Sequence, residues 1–490
     1  MLFILGLSST LLLQETDLIL NVQEKTLETN REPLLSGPGS FKAEWYRTWG
    51  GVEIENWGII TIDSLDNIYQ LGLTRSFGAG LDDICLVKYN NIGELQWNRT
   101  WGGNKSEMPR ALISDSSNNI YIAGHTESFG AGLNDLFLVK YNSSGDLQWN
   151  HLWGGKEQDF GKALVLDSSD NIYIAGTTYS FGPGSNAICI VKYNSSGHLQ
   201  WNQTWGGIES ERCGEIALDS SDNIYIAGTT TSFGAGMNDI CIVKYNSSGH
   251  LQWNQTWGGI ESEVCGEIAL DSSDSIYITG KNYSSGETDV HLIKYDHTGN
   301  EVWNHTWGIT GGTGDNRIVL DSSNNIYIGG TITKSIPLDF SIYLVKYNSS
   351  GMRLWNQTWN NSDEDVLQDI SIDSLDNICI TGETTISDEG SMLLLRYDSL
   401  GSLISYNNWG GFGAAVGFGI DLDSSDNIYI GGMINSFSGG GADLFIVKFV
   451  EEPSELVIHG FDFLILILIL SVFSIITVIS RFTKTLIRKK

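Results

Sequence analysis

Residues 218–228 read Leu-Asp-Ser-Ser-Asp-Asn-Ile-Tyr-Ile-Ala-Gly, and residues 166–176 repeat this stretch letter for letter. A Val-Lys-Tyr segment (243–245) and a Trp-Asn-Gln-Thr-Trp-Gly-Gly segment (253–259) follow the first copy. The aspartate of the stretch recurs at intervals of 50 or 52 residues, at Asp63, Asp115, Asp167, Asp219, Asp271, Asp321, Asp373 and Asp423. The chain therefore contains eight copies of one unit.

A period of about 40–50 residues with several short apolar runs per copy is typical of a β-propeller blade. The unit at 215–257 predicts four strands, which we name a (215–218), b (224–227), c (240–245) and d (251–257). Strands a to c are rich in β-branched and aromatic residues, as expected where both faces of a sheet are covered. Strand d mixes Trp with Gln, Asn and Thr, which suits an outer strand in contact with water.

The ends of the array predict how the ring closes. The repeats begin with a lone d-type strand at 43–49 and finish with a c-type strand at 443–449. Pairing these two strands would complete the last blade and leave no open sheet edge. The sequence thus predicts an all-β fold, an eight-bladed propeller of four-stranded blades over residues 41–450, closed by the N-terminal d strand.

The repeated motif resembles the SBBP-type β-propeller repeats of bacterial and archaeal surface proteins. The resemblance rests on the Leu-Asp-Ser-Ser-x-Asn-Ile-Tyr-Ile-x-Gly stretch (166–176, 218–228, 320–330), the following Val-Lys-Tyr, and a Gly turn before Trp. It spans residues 43–449 and implies a propeller without a particular activity. The chain departs from that family where Gly often occupies the a–b turn, because Asn118, Asp170, Asp222 and Asn324 stand there.

The C-terminal segment predicts a membrane anchor. No residue from Phe463 to Ser480 is charged, and Arg481, Lys484 and Arg488 follow. We expect a linker at 451–460, one transmembrane helix at 461–480 and a basic cytoplasmic tail at 481–490, which leaves the propeller outside the cell. A sorting tail that is cut and replaced by another linkage would have the same pattern.

At the N-terminus, residues 1–14 resemble a signal peptide, although basic residues are missing at their start. Residues 15–40 are polar and predict a linker. The whole chain has a formal charge of −30. So acidic a body repels nucleic acid, and we expect an extracellular protein or glycan as the partner instead.

The cysteines and the sequons are both compatible with a protein that lies outside the cell. Cys85, Cys189 and Cys241 fall at equivalent positions of different blades, too far apart for disulfides, and are expected to be buried hydrophobic residues. The Asn-x-Ser/Thr sequons are turn residues, glycosylation sites, or both. The glycosylation candidates are Asn98, Asn104, Asn142, Asn194, Asn202, Asn246, Asn254, Asn282, Asn304, Asn348, Asn356 and Asn360.

Features shared by all blades are expected to serve folding, and no catalytic motif or cofactor-binding motif is recognised in the sequence. Asp-Ser-Ser-Asp-Asn predicts an Asx turn rather than a calcium loop. The d–a loops carry carboxylates that could hold a divalent cation or simply keep the surface soluble. The metal candidates are Glu157, Asp159, Glu209, Glu211, Glu261 and Glu263.

The b–c loops of five blades contain a Ser-Phe-Gly or Ser-Phe-Ser motif. Ringed aromatic side chains could bind a sugar or a protein partner, or they could plug the ends of the blades. These ligand candidates are Phe77, Phe129, Phe181, Phe233 and Phe437.

The composition and repeats favour a membrane-anchored extracellular propeller that serves in binding or adhesion, and not an enzyme. Near-identical blades such as 198–228 and 250–280 repeat residues instead of contributing different ones. An extracytoplasmic hydrolase or lyase acting on polysaccharide, and a purely structural envelope protein, are the alternatives.

Overall fold

The computed structural model describes residues 35–36, 41–282, 288–309, 312–313, 316–335, 338–362, 364–386, 389–410, 413–435 and 441–451. Throughout these ranges the secondary structure is β, arranged in eight antiparallel sheets. Each sheet is one blade, with its strands in the order a-b-c-d. The predicted all-β class and the eight-bladed propeller are confirmed.

Blades 1 to 4 follow the repeat closely, and their strands a, b, c and d have these bounds. Blade 1 contains Glu55–Ile62, Ile68–Thr74, Asp83–Tyr89 and Leu95–Trp101. Blade 2 contains Glu107–Ser114, Ile120–Thr126, Asp135–Tyr141 and Leu147–Trp153. Blade 3 contains Asp159–Leu166, Ile172–Thr178, Ala187–Tyr193 and Leu199–Trp205. Blade 4 contains Glu211–Leu218, Ile224–Thr230, Asp239–Tyr245 and Leu251–Trp257.

Blades 5 to 8 have longer b and c strands in places. Blade 5 contains Glu263–Leu270, Ile276–Asn282, Thr288–Tyr295 and Glu301–Ile309. Blade 6 contains Arg317–Leu320, Ile326–Ser335, Leu338–Tyr347 and Arg353–Trp359, with Gly312–Thr313 as an extra segment on strand b. Blade 7 contains Asp365–Ile372, Ile378–Ile386, Glu389–Tyr397 and Leu403–Trp409. Blade 8 contains Ala415–Leu422, Ile428–Ile434, Asp443–Glu451 and, as strand d, Phe41–Trp49.

The ring closes as the sequence predicts. Phe41–Trp49 pairs antiparallel with Asp443–Glu451, in a register that joins Phe41 to Glu451 and Trp49 to Leu444. Strand a of blade 1 also packs against strand a of blade 8. The two ends of the repeat array therefore share one sheet, and no blade is left incomplete.

A short segment of the predicted N-terminal linker also joins the propeller. Leu35 and Ser36 pair with Asn408 and Asn407, which makes a fifth, outermost strand on blade 7. Asn407 and Asn408 are buried, and strand d of blade 7 is less exposed than strand d of blades 3 to 5. The N-terminal chain thus contacts two neighbouring blades at the seam.

Strand a is longer than the sequence predicts. In blade 4 it begins at Glu211 instead of Glu215, because a β-bulge between Cys213 and Glu215 interrupts the alternation of side chains. In blade 4, strands b and c are buried along their whole length, since neighbouring blades cover both faces. Strand a is only partly buried because it is the innermost strand and faces the axis of the ring.

One aspartate organises each blade. In blade 4, Oδ1 of Asp219 accepts the backbone N–H groups of Ser221 at 3.0 Å and Asn223 at 2.8 Å. Its Oδ2 accepts the hydroxyl of Tyr225 at 3.0 Å and lies 3.5 Å from Nζ of Lys244. Burial by itself would raise the pKa of Asp219, but these hydrogen bonds outweigh burial and lower it. The aspartate is therefore held as a carboxylate that links strands a, b and c.

The lysine of this cluster continues into the next blade. Nζ of Lys244 lies 4.6 Å from the centre of the Tyr225 ring and donates to the carbonyl of His297, at 3.1 Å, in the c–d turn of blade 5. Blade 7 lacks the tyrosine, because Cys379 stands there, and Arg396 replaces the lysine and donates directly to Asp373. The carboxylate keeps a charged partner in both versions.

The a–b turns form a second link between blades. Ser168 of blade 3 donates its backbone N–H at 3.1 Å and its hydroxyl at 2.7 Å to the carboxylate of Asp222 in blade 4. The backbone bond recurs round the ring to Ser424, which also donates its hydroxyl to Asp66 in blade 1. Between blades 5 and 6 the side-chain bond is reversed, because Nδ2 of Asn324 donates to the hydroxyl of Ser272. The acceptors all have positive φ, between 58° and 63°: Asp66, Asn118, Asp170, Asp222, Asp274, Asn324, Asp376 and Asp426. Asp and Asn tolerate this left-handed conformation, and their side chains accept the backbone N–H of the serine in the preceding blade.

The predicted signal-like segment at 1–14, the linker at 451–460, the transmembrane helix at 461–480 and the tail at 481–490 lie outside the described residues. In the part of the chain that the structure describes, no helix has the length and apolarity needed to span a membrane.

Replacing the acceptor of a turn-to-turn bond tests whether that bond stabilises the ring. Asp222→Gly relieves the left-handed backbone but removes the acceptor for Ser168, and we expect unfolding by urea to require about 1 kcal/mol less free energy. Asp222→Asn keeps an acceptor, as Asn118 does in blade 2, and should be closer to the parent chain. If the Gly variant is as stable as the Asn variant or more stable, the conformation of the turn, and not the bond to Ser168, determines the stability.

Candidate functional site: a cationic cavity among the innermost strands

Three of the metal candidates open strand a and are not in the d–a loops, which corrects the sequence-based placement. Glu211, Asp159 and Glu263 are buried at the first position of that strand. Glu211 accepts the hydroxyl of Thr230 at 3.0 Å and the backbone N–H of Gly207 at 3.2 Å. These bonds hold the d–a loop against strand b, so the carboxylate already has a structural role.

The other three metal candidates, Glu157, Glu209 and Glu261, are exposed in the d–a loops. Their backbone carbonyls accept N–H groups from the b–c loop of the preceding blade, for example Met237 to Glu261 at 3.3 Å. Among the described residues, His, Cys, Asp and Glu side chains form no group of three that could hold a metal ion. The loops are joined to one another by backbone bonds.

The phenylalanines of the b–c loops pack against tryptophans of the preceding blade. The ring centres are 5.0 Å apart for Phe77 and Trp49, and 5.2 Å apart for Phe233 and Trp205. Phe129 and Phe181 make the same contact with Trp101 and Trp153, and Phe437 lies outside the described residues. Since Phe181 and Phe233 keep 43% and 42% of their surface exposed, the rings close the blade ends while still facing solvent.

The cysteines within the propeller are free thiols, and all but Cys265 are buried. Burial raises the pKa of Cys189, Cys213 and Cys241 well above its ordinary value, so these thiols are poor nucleophiles. Among the sequons, the side chains of Asn104, Asn202, Asn254, Asn304, Asn356 and Asn360 are exposed. Asn282 is buried against Asp289, so a glycan is not expected there in the folded protein.

Cationic side chains are concentrated on one part of the innermost strands. In the described chain, strand a carries a cation in blades 2, 3, 4 and 6: Arg110, Lys162, Arg212 and Arg317. The first three come from consecutive blades and line one cavity of about 390 Å³. His125, Phe160, Thr177, Tyr179 and Cys213 complete most of its wall. A cavity of this size can accommodate a small ligand.

Arg110, Lys162 and Arg212 form no ion pair within the described part of the chain. This is unusual in a protein with a formal charge of −30, where carboxylates greatly outnumber cations. Arg110 instead lies 5.0 Å from the centre of the Trp57 ring, and burial lowers its pKa. Three cations that line one cavity and form no ion pair among the described residues make that cavity attractive to an anion.

Aromatic side chains form much of the remaining cavity wall. The rings of His125 and Phe160 meet edge to face with centres 4.7 Å apart, and Phe160 meets Tyr179 in the same way at 6.2 Å. Burial, with a contribution from Arg110, lowers the pKa of His125 to about 4. His125 is therefore neutral near pH 7, and its buried Nδ1 has no hydrogen-bond partner in the described structure.

Trp57 is the one tryptophan that departs from strand d, and it stands beside this cavity. Its φ of 74° lies in the left-handed region, where a bulky side chain is rare and strained. The strain falls at a β-bulge of strand a in blade 1 and places the indole under Arg110. Strained backbone of this kind is found often at functional sites, which supports a role for the cavity.

A second cavity of about 210 Å³ adjoins the first across strand a of blade 4, since both are lined by Lys162, Arg212 and Cys213. It also contains Glu215 and an ion pair of Arg317 with Glu267 at 2.5 Å. Burial and the nearby Glu267 raise the pKa of Glu215 to about 7. The second cavity thus contains a carboxyl group that titrates near neutral pH.

The sequence-based candidates did not include Arg110, Lys162, Arg212, His125 or Tyr179. A signal was present, because residues 198–228 and 250–280 differ only at Arg212/Val264, Asn223/Ser275 and Ala227/Thr279. The first of these exchanges removes the cation from otherwise matching strands. Their positions in the sequence did not reveal that the cations of three blades line one cavity.

No family model matches this chain. A stretch of 121 residues is 31% identical to part of the regulatory protein FlaEY of Caulobacter vibrioides, covering 22% of this chain and 12% of that protein. A stretch of 291 residues is 23% identical to the uncharacterized WD repeat-containing protein L264 of Acanthamoeba polyphaga mimivirus, covering 51% of this chain and 18% of that protein. The chain therefore spans less than a fifth of the length of these curated relatives.

Among solved structures, the polysaccharide lyase Uly1 is similar with a TM-score of 0.43 and 10% identity, over 82% of this chain and 91% of that chain. A likeness at this level carries no argument about function.

The raised pKa of Glu215 can be tested by measuring how the stability of a Glu215 variant depends on pH. A carboxyl group whose pKa rises on folding stabilises the protein fully below its unfolded pKa of about 4.3 and loses that contribution as the pH rises through about 7. The glutamine side chain of Glu215→Gln cannot ionise. The unfolding free energy of this variant minus that of the parent chain should therefore increase between these two pH values and then level off. The exposed Glu261→Gln is the control, and a Glu215→Gln difference that does not change with pH would contradict the burial of a titrating carboxyl.

Proposed function

We propose that this protein is a membrane-anchored extracytoplasmic β-propeller of the SBBP type, and that it binds an acidic ligand in the cavity between blades 2, 3 and 4. The observation that carries the proposal is the group of Arg110, Lys162 and Arg212, which line one cavity without ion pairs. Lys162 and Arg212 are exposed and Arg110 is partly buried, so their positive charge is available to attract an anion from solution.

The cavity favours binding over catalysis. The His125 imidazole has a pKa of about 4 and is a weak base near neutral pH, and the neighbouring Cys213 thiol is kept protonated by burial. One observation favours the enzymatic alternative, a hydrolase or lyase on polysaccharide: Glu215, with a pKa of about 7, lines the adjoining cavity beside Lys162. The binding experiment therefore includes an assay for ligand turnover.

Removing a cavity cation should weaken binding to acidic polymers. Arg212→Val reproduces the Val264 of blade 5 and should fold normally, and Lys162→Met removes a second charge. Each lost charged hydrogen bond of about 1.5–3 kcal/mol predicts roughly a tenfold to hundredfold lower affinity. Binding to polygalacturonate, polyaspartate and polyphosphate can be measured by calorimetry.

Arg353→Leu is the matched control, because it removes one exposed cation from strand d. The new leucine matches the residue at this position in blades 1 to 4, whereas blade 5 has Glu301. Since both changes alter the net charge equally, a general charge effect would weaken binding in both. Equal affinities of the Arg212 and Arg353 variants would refute the cavity as the binding site, and product formation would favour the enzyme.

The anchoring part of the proposal rests on the apolar run at 463–480 and the basic residues after it. A chain ending at residue 455 should leave the membrane fraction and appear outside the cell, whereas the full chain should stay with membranes. Cell fractionation and protease protection would measure this. If the shortened chain associates with membranes as strongly as the full chain, the C-terminal segment is not the anchor.

A further inference from the structure

We propose that the acidic ligand is a carboxylated sugar, with its carboxylate held by Lys162 and Arg212 and its ring against Phe160 and Tyr179. This inference rests on the proposed function and names the ligand class of the same cavity. Small phosphates are commonly held by consecutive backbone N–H groups or helix N-termini. Most of the groups that line this cavity are charged or aromatic side chains, which suit an anion attached to a larger body.

The aromatic residues give the cavity a surface that a simple anion would not use. Tyr179 keeps 40% of its surface exposed, and Phe160 is only partly buried. The faces of such rings are electronegative and attract the weakly positive C–H groups along one side of a sugar ring. A flexible acidic peptide or a polyphosphate has no comparable flat C–H face.

The neutral polar groups of the cavity fit sugar hydroxyls. The hydroxyl of Thr177 accepts the backbone N–H of Cys213 at 3.0 Å and can still donate its own hydrogen. The imidazole of His125, which is neutral near pH 7, also lines the cavity. An uncharged donor or acceptor beside the cations is what a ring with both a carboxylate and hydroxyls requires.

The adjoining cavity extends the site to a second sugar. Because Lys162 and Arg212 line both cavities, a chain of sugars can pass between them along strand a of blade 4. The second cavity contains Arg317 and Glu267, whose paired charges can bond hydroxyl groups. We therefore expect an oligosaccharide to bind more tightly than a single acidic sugar.

The test uses the full chain in detergent and compares ligands that carry a negative charge, a sugar ring, or both. Tetragalacturonate and a sialic acid dimer have both features, methyl-esterified tetragalacturonate keeps the ring without charge, and tetra-aspartate and tripolyphosphate carry charge without a sugar ring. At least one carboxylated sugar should bind ten times more tightly than the methyl ester, tetra-aspartate and tripolyphosphate. Galacturonate monomer should bind at least tenfold more weakly than the tetramer if that oligomer is the ligand.

Variants separate this inference from the proposed function. Phe160→Met introduces the residue that blade 2 has at the equivalent Met108, and it should weaken binding of the carboxylated sugar at least fivefold while leaving tetra-aspartate unchanged. Near-UV circular dichroism checks that the variant folds. If tetra-aspartate or tripolyphosphate binds as tightly as the sugars, or Phe160→Met changes nothing, the sugar inference is overturned although an anion site remains. If Arg212→Val changes the binding of none of these anions, the proposed function itself fails.

Discussion

The fold depends on a buried carboxylate at the end of strand a in every blade. In blade 4, Asp219 shapes the a–b turn with one oxygen and binds Tyr225 and Lys244 with the other. Removing one partner from such a buried charged cluster costs about 3–5 kcal/mol, because the remaining charge is left without compensation. Blade 7 supports this reading, since Arg396 contacts Asp373 directly where the tyrosine is missing.

The same carboxylate connects local structure to ring closure. Lys244 bonds both its own blade's aspartate and the next blade's c–d turn, so a correct blade fixes the position of its neighbour. The a–b turns add a second circle of bonds, which ends with Ser424 on Asp66. Together with the pairing of 41–49 to 443–451, these contacts make closure a consequence of the repeat.

The sequence predicted the number of blades, the four strands and the closing strand because all of these repeat, and repetition shows which residues every blade needs. It predicted strand a too short, since the bulge after Cys213 breaks the pattern of alternating side chains. It also placed Glu211 in a loop, although the buried hydrogen bond to Thr230 draws that residue into the strand. The signal-like and membrane segments remain sequence-based predictions.

The cavity was missed because its wall comes from three blades and depends on residues that differ from one blade to the next. In blade 4, strands b and c are buried along their length and tolerate little change, whereas the innermost strand a is only partly buried and can vary at positions such as that of Arg212. Val264 and Arg212 occupy the same position in nearly identical blades, and only the arginine lines the larger cavity. In a ring of copied blades, function can therefore arise from single exchanges on the innermost strands, which leave the interior contacts of each blade unchanged.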